Sequence, residues 1–314
     1  MTFKVFVDGQ AGTTGLQIHQ RLAKYSNLDV LELPYEDRKN MGKKQEIINQ
    51  SDVIFLCLPD DAARETVSLV QNDHTRIIDA SSAHRVSPGW VYGLPELDVH
   101  QRERVASSRR VSVTGCHASA SILSLKPLIS QSVLPANALV SIHSITGYSG
   151  GGKGMIADYE SGHALLQSPR HYALGLSHKH LPEIMAYSGL TTKPVFVPIV
   201  ANYLKGLAVS IPLHTAQFSQ KLSAKEVHNI ISTYYQHEDF INVLPFSTEA
   251  GTEQGFYNIQ ACNETNRVDI AVYGDADQLL ILTRLDNLGK GASGAALQCM
   301  NLMLGLDEKM QLTY

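Results

Sequence analysis

Over the first third of the chain, short apolar runs alternate with segments of helical period. F-K-V-F-V-D at 3–8 is rich in β-branched and aromatic residues and reads as a strand. G-Q-A-G-T-T-G, at 9–15, then opens a helix in which Leu16, Ile18, Leu22 and Tyr25 recur near helical spacing. Further strands are predicted over 28–33, 52–58 and 76–79, with a helix over 43–50. The run D-V-I-F-L-C-L-P at 52–59 is apolar almost throughout, as a central strand covered on both faces must be. Strands alternating with helices predict an α/β unit, a Rossmann-like doubly wound parallel sheet.

Beyond residue 115 the pattern changes. Longer strand-like segments at 139–145, 195–200, 207–212 and 258–263 are separated by glycine-rich and polar loops, which predicts a second α+β domain on a mixed or antiparallel sheet. From Asn287, L-G-K-G-A-S-G-A-A-L-Q-C-M-N-L-M-L-G leads into a terminal helix with Ala292, Ala296, Cys299 and Met303 on one face. The reading is a first domain at 1–115, completed by a C-terminal helix at 287–314, and a second domain at 116–286.

The chain has 314 residues, 44% of them hydrophobic, enough for a large core and more than one domain. Its net charge of −4, with signs mixed, argues against a nucleic-acid footprint or a basic membrane patch. No apolar stretch approaches the roughly 20 residues of a membrane span, and M-T-F-K enters the first strand without a charged leader. A cytosolic protein acting on small molecules is expected. Four cysteines, at 57, 116, 262 and 299, form no C-x-x-C pair, so reduced thiols are expected, with Cys57, Cys262 and Cys299 packed in the interior.

Cys116 is different. In V-S-V-T-G-C-H-A-S-A it follows a short strand and a glycine and precedes small helix-compatible residues. That junction puts the sulfur at a helix N-terminus, where unpaired N–H groups and the helix dipole favour thiolate, the nucleophilic form.

The first glycine loop suits a dinucleotide pyrophosphate, because Gly9, Gly12 and Gly15 let the backbone approach closely while Thr13 and Thr14 begin the helix that presents N–H groups. After the second strand, in L-P-Y-E-D-R-K-N, Arg38 and Lys39 suit a ribose 2′-phosphate, whereas Glu36 and Asp37 suit the free 2′-hydroxyl of NAD. We favour NADP(H). A second glycine loop, T-G-Y-S-G-G-G-K-G from Thr146, sets Ser149 and Gly150 among N–H donors able to meet an anion or a nicotinamide ring. In S-H-K-H-L-P-E-I, His178 and His180 are two apart, on a segment read as extended. With no third and fourth ligand evident nearby, zinc is set aside and one of the two histidines is read as an acid/base.

G-C-H-A-S-A, Y-G-L-P-E-L from Tyr92, G-Y-S-G-G-G-K, H-K-H-L-P-E-I and D-N-L-G-K-G-A-S-G-A-A-L-Q fall in one order along the chain. Together they resemble the N-acetyl-γ-glutamyl-phosphate reductases, and the short length and G-C-H in place of G-C-Y are similar to the shorter, type 2 subgroup. The resemblance implies NADPH-dependent reduction of an acyl phosphate to an aldehyde in arginine biosynthesis, with Cys116 as nucleophile and His180 as acid/base. It implies Asn287 and Ser81 on the cofactor side, and a subunit contact through the second domain, in a homodimer or homotetramer. Arg85, Lys153, His178 and Glu183 are the substrate-side candidates; Arg109, Arg110 and Lys179 are further cations. The chain departs from the family at Thr114, where proline is common, and in D-A-S-S-A-H-R, where D-L-S-A-D-F-R is commoner. The same chemistry on another substrate, as in aspartate semialdehyde dehydrogenase, is the second reading, and a non-catalytic NADP sensor is the third.

Overall fold

The computed structural model describes residues 2–314; Met1, where the reading of the chain start begins, lies outside the described residues. The chain divides into two compact units. One runs through Thr114 and takes in Ala292–Leu312; the other comprises Gly115–Gly291 and Thr313–Tyr314.

The first unit follows the predicted alternation: β1 (Phe3–Asp8), α1 (Thr13–Leu22), β2 (Leu28–Leu31), α2 (Met41–Gln50), β3 (Val53–Leu56), α3 (Asp60–Ser68), β4 (Arg76–Asp79), β5 (Val91–Gly93), α4 (Gln101–Ser107) and β6 (Arg110–Val113). Every strand pair is parallel, in the order β2-β1-β3-β4-β6-β5. β2 lies on one side of β1 and β3 on the other, so the loop after β1 sits at a switch point, where ligands bind in sheets of this kind. β2 and β3 are shorter than predicted. Pro34 and a 3₁₀ turn at Tyr35–Asp37 follow β2, and Pro59, which has no N–H to extend a ladder, caps α3. Phe6, Ile48, Ile54, Leu56 and Ile77 form the core on one side of the sheet.

The second unit holds α5 (Cys116–Ser130), β7 (Ser141–Gly147), α6 (Gly152–Glu160), β8 (Arg170–His171), α7 (Leu181–Ser188), β9 (Val195–Ala201), β10 (Leu207–His214), α8 (Ala224–Tyr234), β11 (Ile241–Val243), a small ribbon of β12 (Thr252–Glu253) and β13 (Phe256–Tyr257), β14 (Val268–Gly274) and β15 (Gln278–Leu285). Its main sheet runs β11-β14-β15-β10-β7-β9-β8 and is mixed: β11/β14 and β7/β9 are parallel and the other pairs antiparallel. α5 is buried along most of its length despite its serines. Ser119, Ser121 and Ser124 each donate to the carbonyl four residues back, which satisfies the hydroxyls inside the core.

Two expectations are corrected and one strand pair is added. Residues 258–263 form turns, not a strand: Asn258 Oδ1 accepts from Gln260 N–H and its amide donates to Glu253, an Asx turn that competes with pairing. β14 and β15, an interior pair of the sheet, were not among the named segments; Asp269 and Arg284 stand within their apolar runs. They are cross-strand partners and form a buried ion pair at 2.8 Å. The terminal helix is also shorter than 287–314. A π-helical turn at Gly289–Ser293 precedes α9 (Gly294–Met303), so Ala292 lies before the helix, and Gly305, at φ +66°, ends it.

Gly9 combines φ +91° with a position where a Cβ would stand 2.3 Å from the Cys57 carbonyl oxygen. Gly9→Ala should therefore cost about 1–3 kcal/mol of stability through backbone strain and collision. Gly12→Ala, whose Cβ would first meet an atom at 3.4 Å, should melt nearly as wild type. Equal thermal midpoints for Gly9→Ala and wild type would refute this account of the turn.

Candidate active site

Cys116 is the first residue of α5, with Gly115 as an extended N-cap that has no side chain. The sulfur thus lies in the first helical turn, where the N–H groups have no helical acceptor and the dipole favours an anion. Gly291, in the π-helical turn, packs so tightly here that a Cβ on it would come within 2.6 Å of the Cys116 Cβ. A bulkier residue would displace Cys116.

α7 supplies the second part. His180 is its N-cap, in the αR region rather than on an extended segment, which corrects the sequence reading. A tight turn produces the pairing of rings instead: Leu181 N–H donates to the His178 carbonyl, and His180 N–H donates to His178 Nδ1 at 3.1 Å. The two rings sit edge to face with centroids 4.7 Å apart, and Phe196 of β9 packs 5.0 Å from His178. Pro182 in the first turn and Gly189 at φ +95° delimit α7.

Glu183, in the first turn of α7, is 1% exposed. Its Oε2 accepts from Gly115 N–H at 3.1 Å, and its Oε1 lies 4.0 Å from His180 Nε2. One buried carboxylate therefore spans the start of the cysteine helix and the imidazole beside it.

Sequence reasoning did not single out His117, yet its ring lies 5.4 Å from that of His180 and 5.5 Å from that of His178. One ligand atom each from Cys116, His117 and His180 lies within 4.8 Å of the others. His117 Nδ1 is 2.7 Å from Ser144 Oγ and Nε2 is 2.9 Å from the Tyr172 hydroxyl. Burial, reinforced by His178 and Lys179, lowers its pKa to about 3, so the imidazole is neutral in the physiological range. Burial also raises the Tyr172 phenol, and the neighbouring Cys116 adds to this. The available signal was the G-C-H triplet itself; Tyr172, in an irregular polar stretch, left none.

The second glycine loop belongs to the same unit. Gly147 presses against the Tyr203 carbonyl, where a Cβ would stand 2.5 Å away, and a 3₁₀ turn at Tyr148–Gly151 leads into α6. Asn287 ties this loop down: Nδ2 donates to Ser149 Oγ and Oδ1 accepts from Gly206 N–H, both at 2.9 Å. Ser149 is buried, whereas Gly150 and Lys153 are exposed.

In the first unit, Gly9, Gly12 and Gly15 shape the turn into α1; a Cβ on Gly15 would lie 2.3 Å from the Gly9 carbonyl oxygen. Thr13 and Thr14 form the first turn of α1, and buried Thr13 Oγ1 has no hydrogen-bond partner in the structure. Arg38 and Lys39 are exposed; the Arg38 guanidinium lies 3.4 Å over the Tyr35 ring and donates to the Tyr35 carbonyl. Asp37 is taken up by Lys43 at 2.7 Å. Ser81 donates through N–H and Oγ to Asp79, which also meets His84 Nδ1 at 2.6 Å, and His84 stacks on Trp90. Arg85 is buried, with Nε donating to the Val113 carbonyl.

Two family models match the chain: the semialdehyde dehydrogenase NAD-binding domain over residues 4–106 and the semialdehyde dehydrogenase dimerisation domain over 116–287. Aspartate semialdehyde dehydrogenase from Francisella tularensis shares the fold at TM-score 0.73 and 14% identity, over 96% of this chain and all of that one. The Vibrio cholerae enzyme II complexed with ASA does so at 0.70 and 15%, over 97% of this chain and 99% of that one. The chain is thus a nicotinamide-dependent oxidoreductase of the semialdehyde dehydrogenase class.

Within that class its sequence relatives are narrower. N-acetyl-gamma-glutamyl-phosphate reductase 2 of Pseudomonas putida is 45% identical over 304 residues, 96% of each chain. Its namesake in Nostoc sp. is 42% identical over 318 residues, 98% of this chain and 99% of that one. The chain belongs to the N-acetyl-γ-glutamyl-phosphate reductase family.

Cys262 and Cys299 are fully buried, and burial raises the thiols of Cys57 and of Cys262, the latter to about 11. Limiting iodoacetamide near neutral pH should therefore alkylate Cys116 before the other three, as read by peptide mapping. Prior labelling of Cys57 would count against this site.

Proposed function

We propose that this chain reduces N-acetyl-γ-glutamyl phosphate with NADPH to N-acetylglutamate 5-semialdehyde and phosphate, in arginine biosynthesis, through a thioester on Cys116. The observation that carries the reading is the clustering of Cys116 with His180 at a helix N-terminus. Cys116 attacks the γ-acyl carbon; the C–S bond forms as the C–O bond to phosphate breaks, and phosphate leaves with the electron pair. His180 takes the thiol proton in this step. The Cys116 N–H and the His180 side chain then face the oxyanion that forms at the same carbon, and its collapse releases the aldehyde and the thiolate. Glu183 acts as a positioning residue, holding His180 against α5, while His178 packs beside it and serves substrate placement. Lys153 and Arg85 are the cations we assign to the substrate's anionic groups.

The first unit suits a dinucleotide. The close-packed glycine turn, the opening N–H groups of α1 and the unpartnered buried Thr13 hydroxyl fit a pyrophosphate. When bound, the nicotinamide supplies the hydride for the thioester. Arg38 and Lys39 read the 2′-phosphate; of the two acids beside them, Asp37 is held by Lys43. Ser81, Ser149, Gly150 and Asn287 complete the cofactor residues.

The second unit carries catalysis and subunit contact in a homodimer or homotetramer, in keeping with its exposed Leu165, Leu174 and Leu176 and the edge strand β8. Among the described residues no helix is long and apolar enough to cross a membrane. Four unbridged cysteines, one of them needed as a thiol, suit the reducing cytoplasm.

Phosphate-dependent reduction of NADP⁺ by N-acetylglutamate semialdehyde tests the reading, with unacetylated aspartate semialdehyde as the rival substrate. Cys116→Ala should abolish turnover and keep cofactor binding, and His180→Asn should lower turnover by about 10² to 10⁴. Full activity of Cys116→Ala, or preference for the unacetylated substrate, would reject it.

Cofactor choice has its own test. Arg38→Ala should raise the KM for NADPH about tenfold or more, the size of a lost charge-assisted contact, and leave that for NADH nearly unchanged. A wild type that prefers NADH would mean that Glu36 or Asp37 reads the ribose.

A further inference from the structure

We propose that Cys116, His117 and His180 form a Zn²⁺ site, and that the bound ion reversibly silences the thiol. One thiolate and two imidazoles are a donor set that Zn²⁺ takes, with a fourth position left to water. The set has no carboxylate or carbonyl member, which disfavours Mg²⁺ and Ca²⁺. From metal–ligand lengths of roughly 2.3 Å to sulfur and 2.0 Å to nitrogen, ligand atoms of a tetrahedral site are about 3.3–3.7 Å apart. The three atoms already lie within 4.8 Å of one another, so side-chain rotations of about 1 Å close the site.

Backbone and outer partners are in place as well. Cys116 and His117 come from the first turn of α5, and His180 caps α7. One His117 nitrogen can ligate while the other keeps a hydroxyl partner, Ser144 or Tyr172, and Glu183 stands beside His180. Hydrogen-bonded outer partners of this kind orient metal-bound histidines. His117 is the ligand that sequence reading lacked when it set zinc aside. Binding exchanges the thiol proton for the ion: the S–H bond breaks, the proton is released, and the sulfur lone pair that would attack an acyl carbon is held in an S–Zn bond. Only this effect on turnover rests on the function proposed above; the coordination does not.

The test uses the full chain, stripped with a chelator and kept reduced without oxygen, and titrated with Co²⁺ as a spectroscopic substitute. One equivalent should produce the intense visible bands of tetrahedral Co²⁺ and a thiolate charge-transfer band, and Zn²⁺ should displace both. His117→Asn and Cys116→Ser should each weaken binding by more than about 100-fold, and one of Ser144→Ala and Tyr172→Phe, whichever removes the hydroxyl on the non-ligating nitrogen, by about 10-fold, the range for an outer partner. In the wild type, Zn²⁺ should protect Cys116 from iodoacetamide until chelator is added, a readout that depends on no variant. Weak octahedral bands without charge transfer, unprotected Cys116, or a signal lost in His178→Asn but kept in His117→Asn would overturn the site. If Cys116→Ala stays active while the cobalt bands appear as described, the function fails and the metal site stands.

Discussion

The Glu183 carboxylate is the constraint on which the site depends. At 1% exposure it must be hydrogen-bonded, since burying an unpaired charge costs several kcal/mol. Its Oε2 accepts from the Gly115 N–H, one of the donors a helix start leaves without an acceptor, and its Oε1 stands 4.0 Å from the His180 ring. Two helix beginnings are thereby held together, and each carries a titratable side chain at its first position or cap. The carboxylate also brings negative charge to an end of α5 that the dipole makes positive, so the same contact stabilises the helix and orients the imidazole.

Around that link, contacts that only hydrogen in place of a side chain permits set the spacing. Gly291 touches the Cβ of Cys116, and Gly147 lies against the Tyr203 carbonyl, where Asn287 and Ser149 anchor the second glycine loop. Glycine costs backbone entropy, and its use at these points buys close approach. His117 shows the complementary device. Enclosed by Ser144, Tyr172, Phe196 and two other histidines, it is kept neutral by burial, so a ring beside Cys116 adds a ligand-type nitrogen without adding a positive charge.

Much of this was legible in the chain. The alternation of apolar strands with amphipathic helices determined the parallel sheet, because each strand's two covered faces and each helix's one apolar stripe can be buried together in few ways. The turn after β1 and the strand-Gly-Cys-helix junction were equally local, set by glycine geometry and helix-end chemistry within ten residues. Tertiary structure decided the rest. β14 and β15, which the sequence reading did not name, bury a charged pair because Asp269 and Arg284 meet across the ladder, and Asn258 turns a strand-like stretch back on itself. His117, Tyr172 and Ser144 come from a helix, a loop and a strand, and Glu183 reaches Gly115 across 68 residues. Periodicity reports which face of an element is buried, but not which buried faces meet; that depends on the packing of the whole unit, and so did the assembly of this site.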